Sequence, residues 1–366
     1  MKSTSELSLK HKKSDRLQTI GGDFELQSLP LGVSEQDLFQ TNGMSGTWTA
    51  SGRAALAVVL QHLINIGVTH VNLPAYLCKS VLLPITELGL TYSFYKVDEE
   101  LASHPDSVEG SAVLLIHYFG WLNKSTDRIR KDAASRSFYL IEDTTHALLS
   151  DWGMSVGNKN LVFMTPRKFG PVPLGGWCSV DTEVEAASKE TEAMAWQSVA
   201  ARLVRAFYLD KQLSSSDIEM ETFYLRVLRE VELFLDHHPT DIGLPQIARE
   251  IIAGLNWDEI ANRRRENWRC LHDLLDGQVD AILTSMPENV VPLGYMIRVK
   301  GRDRLRSRLA SHRIFCPVHW TLPNEVDPQI FPEAALLSNT CMTIPIDQRY
   351  DKDDMVRIAE VLKTEL

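Results

Sequence analysis

What this sequence lacks narrows it first. No uninterrupted apolar run among its 366 residues is long enough to cross a bilayer, and the lysine- and serine-bearing start has no apolar stretch of the signal-peptide kind. Neither a membrane protein nor a secreted one is therefore expected. Cysteine is sparse and odd in number: Cys78, Cys178, Cys270, Cys316 and Cys341 are scattered, with no close-spaced metal pair and no disulfide framework. A reducing cytoplasm is the expected setting, and no metal is expected. An excess of basic charge is missing too. With 38 Lys and Arg against 48 Asp and Glu the net charge is −10, which speaks against a nucleic-acid partner and for a soluble metabolic protein. There is no internal repeat and no low-complexity tract.

What is present is ordinary globular composition, 44% hydrophobic and 23% charged, in a chain too long for one small core. Apolar runs at 69–73, 90–95, 112–118 and 138–143 read as strands, and helical stretches at 54–63, 77–83 and 125–134 alternate with them. That alternation predicts an α/β fold with a mainly parallel sheet covered on both faces. Chemistry in such sheets gathers at the carboxyl ends of strands, where Asp143 and His117 fall. From 183 to 255 the pattern changes to long amphipathic helices, and beyond 278 short strands and helices predict an α+β layer. The expected division is a disordered tail at 1–20, a large domain at 21–255 with the helical segment 183–255, and a small α+β domain at 256–366.

One stretch, 163–177, joins stiff backbone to reactive chemistry. Lys168 lies in a polar step between apolar runs, with prolines 166, 171 and 173 and glycines 170, 175 and 176 around it and Thr165 three residues before. A lysine at the end of a buried strand, sheltered from water, is placed to attack an aldehyde; a surface lysine on a connecting loop is the commoner case. Four other features have equally plain alternatives. Asp143, just past an apolar strand, can hold a pyridine-type nitrogen protonated or simply cap a turn. His146 can hydrogen-bond a ring oxygen or be structural. Ser51, Gly52 and Arg53 at a helix start can hold a phosphate or be an ordinary cap. Tyr76 can stack on a planar ring or fill a core. Their order along the chain is the distinctive point. A phosphate anchor, a ring stack, an acid and an amine are the parts that hold pyridoxal 5′-phosphate.

The sequence resembles the DegT/DnrJ/EryC1/StrS family of fold-type-I aminotransferases, and within it a divergent branch found among surface-polysaccharide genes. The resemblance is carried by 21–26, Ser51-Gly52-Arg53-Ala54-Ala55-Leu56, 73–78, 117–120, Ile141-Glu142-Asp143, Thr165-Pro166-Arg167-Lys168-Phe169, Gly175-Gly176, Pro317-Val318-His319-Trp320 and 344–350. It implies a mainly parallel seven-stranded sheet in a large domain with a smaller α+β domain. Lys168 would be the Schiff-base amine and proton shuttle, Asp143 the partner of the pyridinium nitrogen, and His146 the neighbour of the ring hydroxyl. Tyr76 would stack on the ring; Ser51, Gly52, Arg53 and Thr165 would hold the phosphate; His319 and Trp320 would meet the substrate. The implied reaction moves an amino group from a small-molecule donor such as glutamate to a keto acceptor, with a nucleotide-linked keto sugar as a candidate, in a homodimer whose active sites lie at the interface. Leu174 departs from the family, which tends to carry an acid before the paired glycines, and of its partner-subunit Asn and Arg only Asn256 or Asn267 offers a substitute. Two other readings stay open on the sequence: another pyridoxal-phosphate reaction (a lyase, a dehydratase or an amino-acid-modifying enzyme), and a non-catalytic relative that binds the cofactor.

The remaining candidates are bland. Asp236-His237-His238 with Asp241 reads as a solvated turn before Pro239, and 170–176 lacks the Lys-Ser or Lys-Thr ending of a nucleotide P-loop. Arg263-Arg264-Arg265 reads as a solvated helix face or a dimer contact.

Overall fold

The computed structural model describes residues 18–29, 45–105, 111–135, 138–153, 159–210, 218–241 and 243–366. All but the last three residues of the expected tail lie outside them. A short strand β1 (Ile20–Gly21) stands apart from the main sheet. That sheet is built from β2 (Thr47–Thr49), β3 (His70–Pro74), β4 (Thr91–Val97), β5 (Ser103–His104), β6 (Ala112–Ile116), β7 (Tyr139–Asp143), β8 (Asn160–Met164) and β9 (Gly176–Cys178). Its order is β2-β9-β8-β7-β6-β3-β4-β5. The contiguous strands β8, β7, β6, β3 and β4 pair in parallel, while β9, β2 and β5 join through antiparallel pairings. The α/β class expected from the sequence is thus the one found. The sheet has eight strands rather than seven, the two-residue β5 adding an edge strand too short to show as an apolar run.

Every residue of β6 is buried, as is required of a strand with helices over both faces. Helix α1 (Gly52–Asn65) packs its Ala54 to Leu60 run into that core, and Ser51 caps it by accepting from the Ala54 N–H at 3.1 Å. Residues 77–83 are only partly helical. A 3-10 turn over Lys79–Val81 leads into α2 (Leu82–Glu87), so Cys78 is left in an extended link. Helix α3 (Thr126–Ser135) covers β7. The long helices α4 (Lys189–Asp210) and α5 (Ile218–His237) pack on one another, followed by α6 (Gln246–Gly254) and α7 (Trp257–Leu275). Then β10 (Asp280–Ala281), β11 (Tyr295–Arg298) and β13 (Cys341–Ile344) make a three-stranded antiparallel sheet, while β12 (Ile314–Phe315) pairs in parallel with β1. Helices α8 (Arg302–Ser311), α9 (Pro332–Thr340) and α10 (Lys352–Glu365) complete this part of the chain.

Several side chains do other work than the sequence suggested. Arg264 is not on a solvated face. It is buried with its guanidinium 4.6 Å from the Phe169 ring and donates to the Leu293 carbonyl at 2.8 Å. Asn256 caps α7, and Asn267 is buried, donating to the carbonyls of Ile346, Asp347 and Tyr350. Leu174 is buried in a cluster with Ile251 and Ile252, a setting in which an unpaired carboxylate would be costly.

Candidate active site

β7 ends in two acids, and alternation sends them to opposite faces. Glu142 turns into a closed network: His117 Nε2 meets its Oε2 at 2.7 Å and Arg130 grips both oxygens at 2.9 Å. Burial alone would raise the Glu142 carboxyl, but His117 and Arg130 outweigh it and hold it below the usual range. His117 is therefore structural; its Nδ1 accepts from the Asn123 N–H at 3.1 Å. Asp143 faces the other way, into a cavity of about 620 Å³ beyond the carboxyl ends of β3, β6, β7 and β8. Its Oδ1 accepts from the Thr145 N–H at 2.9 Å. Burial pushes its pKa up, and the Thr145 contacts only partly offset that. A buried carboxylate of this kind is best stabilised by a cation brought into the cavity.

The same cavity is lined by Gly52, Arg53, Cys78, Thr145, His146, Thr165, Arg167, Lys168, Glu232, Asp236 and Trp320. Gly52 and Arg53 arrive because β9 runs against the start of α1. Gly176 is required there, since a Cβ on it would lie 2.1 Å from the Ser51 carbonyl oxygen. Lys168 ends a short 3-10 turn after β8, Pro166–Lys168, capped by Thr165. Its side chain is exposed at the cavity rim, which corrects the expectation of a sheltered amine: the tight turn directs Arg167 toward α5 and leaves Lys168 facing the opening.

His146 is buried, and its Nδ1 has no hydrogen-bond partner. Burial, with His319 and Lys168 nearby, keeps its pKa well below the ordinary value, so the ring is neutral. Trp320 stacks on it at 5.0 Å and 23°, and His319 meets it edge-on at 5.1 Å. His319 is fixed by Thr343 Oγ1 at 2.9 Å and by burial is pushed down to about 3.

Among the expected site residues, then, Asp143, His146, Thr165, Lys168, Gly52, Arg53 and Trp320 share one cavity wall. Ser51, Tyr76 and His319 do not line it. Ser51 lies beneath, its Oγ accepting from the Ala54 N–H as the helix cap. Tyr76 is buried behind Trp320, ring to ring at 5.5 Å, with its hydroxyl on the His319 carbonyl, so Trp320 supplies the exposed aromatic surface instead. The Thr165 hydroxyl is already donated to the Gly175 carbonyl at 2.7 Å. Glu232 escaped notice in the sequence, and Arg167 entered only as part of the lysine motif. Asp236, read as part of a solvated turn, instead belongs to the last turn of α5 and pairs with Arg53 on the cavity wall. The two acids sit at i and i+4 of an amphipathic helix, a spacing that solvated faces show just as often.

No family model matches the sequence, and no curated protein does. The fold has solved counterparts. The sugar aminotransferase CalS13 from Micromonospora echinospora matches at 16% identity over 94% of this chain and 99% of its own, with a TM-score of 0.64. A DegT DnrJ EryC1 StrS aminotransferase from Brucella abortus matches at 15% identity over 93% and 91%, with a TM-score of 0.62. Spr1654 from Streptococcus pneumoniae in its PLP form matches at 15% over 94% and 93%, with a TM-score of 0.64. At such identities the likeness establishes the fold, which this chain shares with these aminotransferases of known structure.

Proposed function

We propose that this chain is a pyridoxal-phosphate-dependent aminotransferase acting on a keto sugar, with glutamate as the amino donor. The observation that carries the reading is the meeting of Asp143, His146 and Lys168 on one cavity at the carboxyl ends of a parallel sheet. The residues fit the cofactor on their own terms. Asp143 is a buried carboxylate in want of a cation, which a protonated pyridine nitrogen supplies, and the unpartnered His146 Nδ1 suits a ring oxygen. When bound, the cofactor's ring supplies an electron sink that lets an amino group leave one carbon and join another.

The chain's own groups do the rest. Asp143 holds the proton on the ring nitrogen, because separating it from a buried carboxylate costs desolvation. Neutral His146 orients the ring without adding a competing charge. Trp320 excludes water from one side of the pocket. Lys168 Nζ would be the amine that holds the cofactor through its aldehyde carbon, and it would carry the proton to and from the substrate carbon. At the other end, the start of α1 receives the phosphate.

The exposure of Lys168 favours a site completed by a second copy of the chain. Trp196, Phe223, Leu225 and Leu233 of α4 and α5 are 40 to 50% exposed, an apolar surface of the kind that homodimers cover. Among the described residues no helix is long and apolar enough to cross a membrane. On this reading the chain works as a cytoplasmic homodimer in surface-polysaccharide synthesis, with a large domain to residue 255 and a small one after it. The test is direct: purified protein should take up pyridoxal phosphate with a yellow colour and yield pyridoxamine phosphate on adding glutamate. A protein that stays colourless with added cofactor refutes the reading.

A further inference from the structure

Two guanidiniums stand over the start of α1, and two carboxylates occupy them. Arg53, in the first turn of α1, meets Asp236 at 2.7 Å and Glu232 at 3.5 Å, and Arg167 pairs with Glu232 as well. The arginine side chains are 15% exposed, whereas those of Glu232 and Asp236 are 47% and 42% exposed. The cations are thus set in the cavity wall, while the anions reach across from α5 with their outer sides in water. Burial would raise the Glu232 carboxyl, but Arg167 and Arg53 hold it at about 2, so it is ionised at any physiological pH. Even so, the clamp is not saturated. The Nε atoms of Arg53 and Arg167 are buried without a hydrogen-bond partner. Unmet buried donors cost free energy that a better-shaped acceptor recovers.

We infer that Arg53 and Arg167 form a side-chain clamp for a phosphate dianion, and that Glu232 and Asp236 are surrogate anions which the phosphate displaces. A guanidinium matches phosphate oxygens in a two-pronged fashion that one shared carboxylate cannot satisfy for two arginines at once. A dianion also neutralises both cations, and the half-exposed carboxylates regain hydration when they let go, which offsets part of the ion-pair energy given up. The backbone N–H groups at the α1 start add to the same anion. This goes beyond a phosphate held by backbone and hydroxyls, because the Thr165 hydroxyl proton is committed to the Gly175 carbonyl, and Ser51, whose oxygen caps the helix, does not line the cavity. The inference rests on the proposed function only in taking the phosphate's carrier to be a cofactor or a phosphorylated substrate; the clamp itself acts on free phosphate.

Titration calorimetry of cofactor-free protein with inorganic phosphate tests it. Glu232→Gln and Asp236→Asn should each tighten binding about three- to tenfold, the range that removing a competing, partly exposed ion pair allows. Arg167→Gln should weaken it at least about tenfold, and Arg167→Lys, which keeps charge but not the fork, should weaken it less. Glu230→Gln, on the same helix but paired with Arg226, should change nothing. Circular dichroism verifies the fold of each variant. If Glu232→Gln leaves phosphate affinity unchanged or lowers it, the carboxylates merely position the arginines and the inference falls. It falls equally if Arg167→Gln binds phosphate as the parent does. Loading with pyridoxal phosphate identifies the carrier: loss of phosphate binding on loading assigns the clamp to the cofactor, and retention of the Glu232→Gln effect in loaded protein assigns it to a phosphorylated substrate. A chain that loads cofactor yet shows no Glu232 effect loses this inference alone, whereas one that shows the effect but takes up no cofactor loses the proposed function alone.

Discussion

Replacing Gly176 with alanine probes how the site is assembled rather than what it does. A Cβ at this position would lie 2.1 Å from the Ser51 carbonyl oxygen, 2.4 Å from its carbon and 2.8 Å from the Gly52 nitrogen. All three are backbone atoms, so no rotamer change relieves the clash. Either β9 or the first turn of α1 must move. Overpacking costs about 1–3 kcal/mol, and with only backbone to yield the upper part of that range, about 2–3 kcal/mol, is expected. The displaced element is the one that presents the Gly52 and Arg53 N–H groups, so phosphate binding should weaken together with stability. Gly67→Ala is the matched control. Gly67 has φ of +95° but nothing within 4 Å of its would-be Cβ, and it lies at the far end of α1. It should lose about 1–2 kcal/mol to backbone strain alone and keep phosphate affinity. Urea unfolding and phosphate titration on the same samples separate the two effects. A Gly176→Ala protein with parental midpoint and parental phosphate affinity would refute the argument that this contact sets the helix start.

Asp143→Asn should act in opposite directions on stability and turnover. Burial raises the folded pKa of Asp143, so the folded chain loses stability as pH rises from about 3.8 through the raised value; the amide should therefore be the more stable form at neutral pH without cofactor and no better in acid, as urea midpoints at pH 7 and pH 4 would show. Turnover of the same variant with glutamate should fall about a hundredfold or more. His319 is held at about 3 against an ordinary 6.5, so its contribution is complete above 6.5 and is lost as pH falls from there toward 3, by at most about 1.4 kcal/mol per pH unit. His319→Gln should make that acid limb of the stability profile shallower. Glu142→Ala would strand Arg130 beside a buried His117 and should cost about 3–5 kcal/mol in an unfolding titration, although Glu142 never faces the cavity.

How far the sequence could reveal this molecule follows from what each signal encodes. The strands were legible because parallel strands buried on both faces must be apolar throughout, as β6 is. Asp143 and Lys168 were legible because strand ends and proline-glycine turns mark where chemistry can emerge. β5 was not, since two residues leave no period to detect. Tyr76 was assigned a face it does not have: an aromatic after a strand reads alike whether it lines a pocket or lies behind one, and only the return of the 316–320 stretch from far along the chain puts Trp320 in front of it. Arg264 fell to the same ambiguity, because a run of three arginines cannot show which of them packs on a distant ring. The exposure of Lys168 and the ion pairs from α5 depend on contacts between segments 65 or more residues apart and carry no local mark.

The most direct measurement is to load the protein with pyridoxal phosphate, reduce it with borohydride and locate the attached pyridoxyl group by peptide mass spectrometry. The account predicts one label per chain, on Lys168, and none in Lys168→Ala. A label on the neighbouring cavity lysine, Lys79, or no stable label at all, would contradict it.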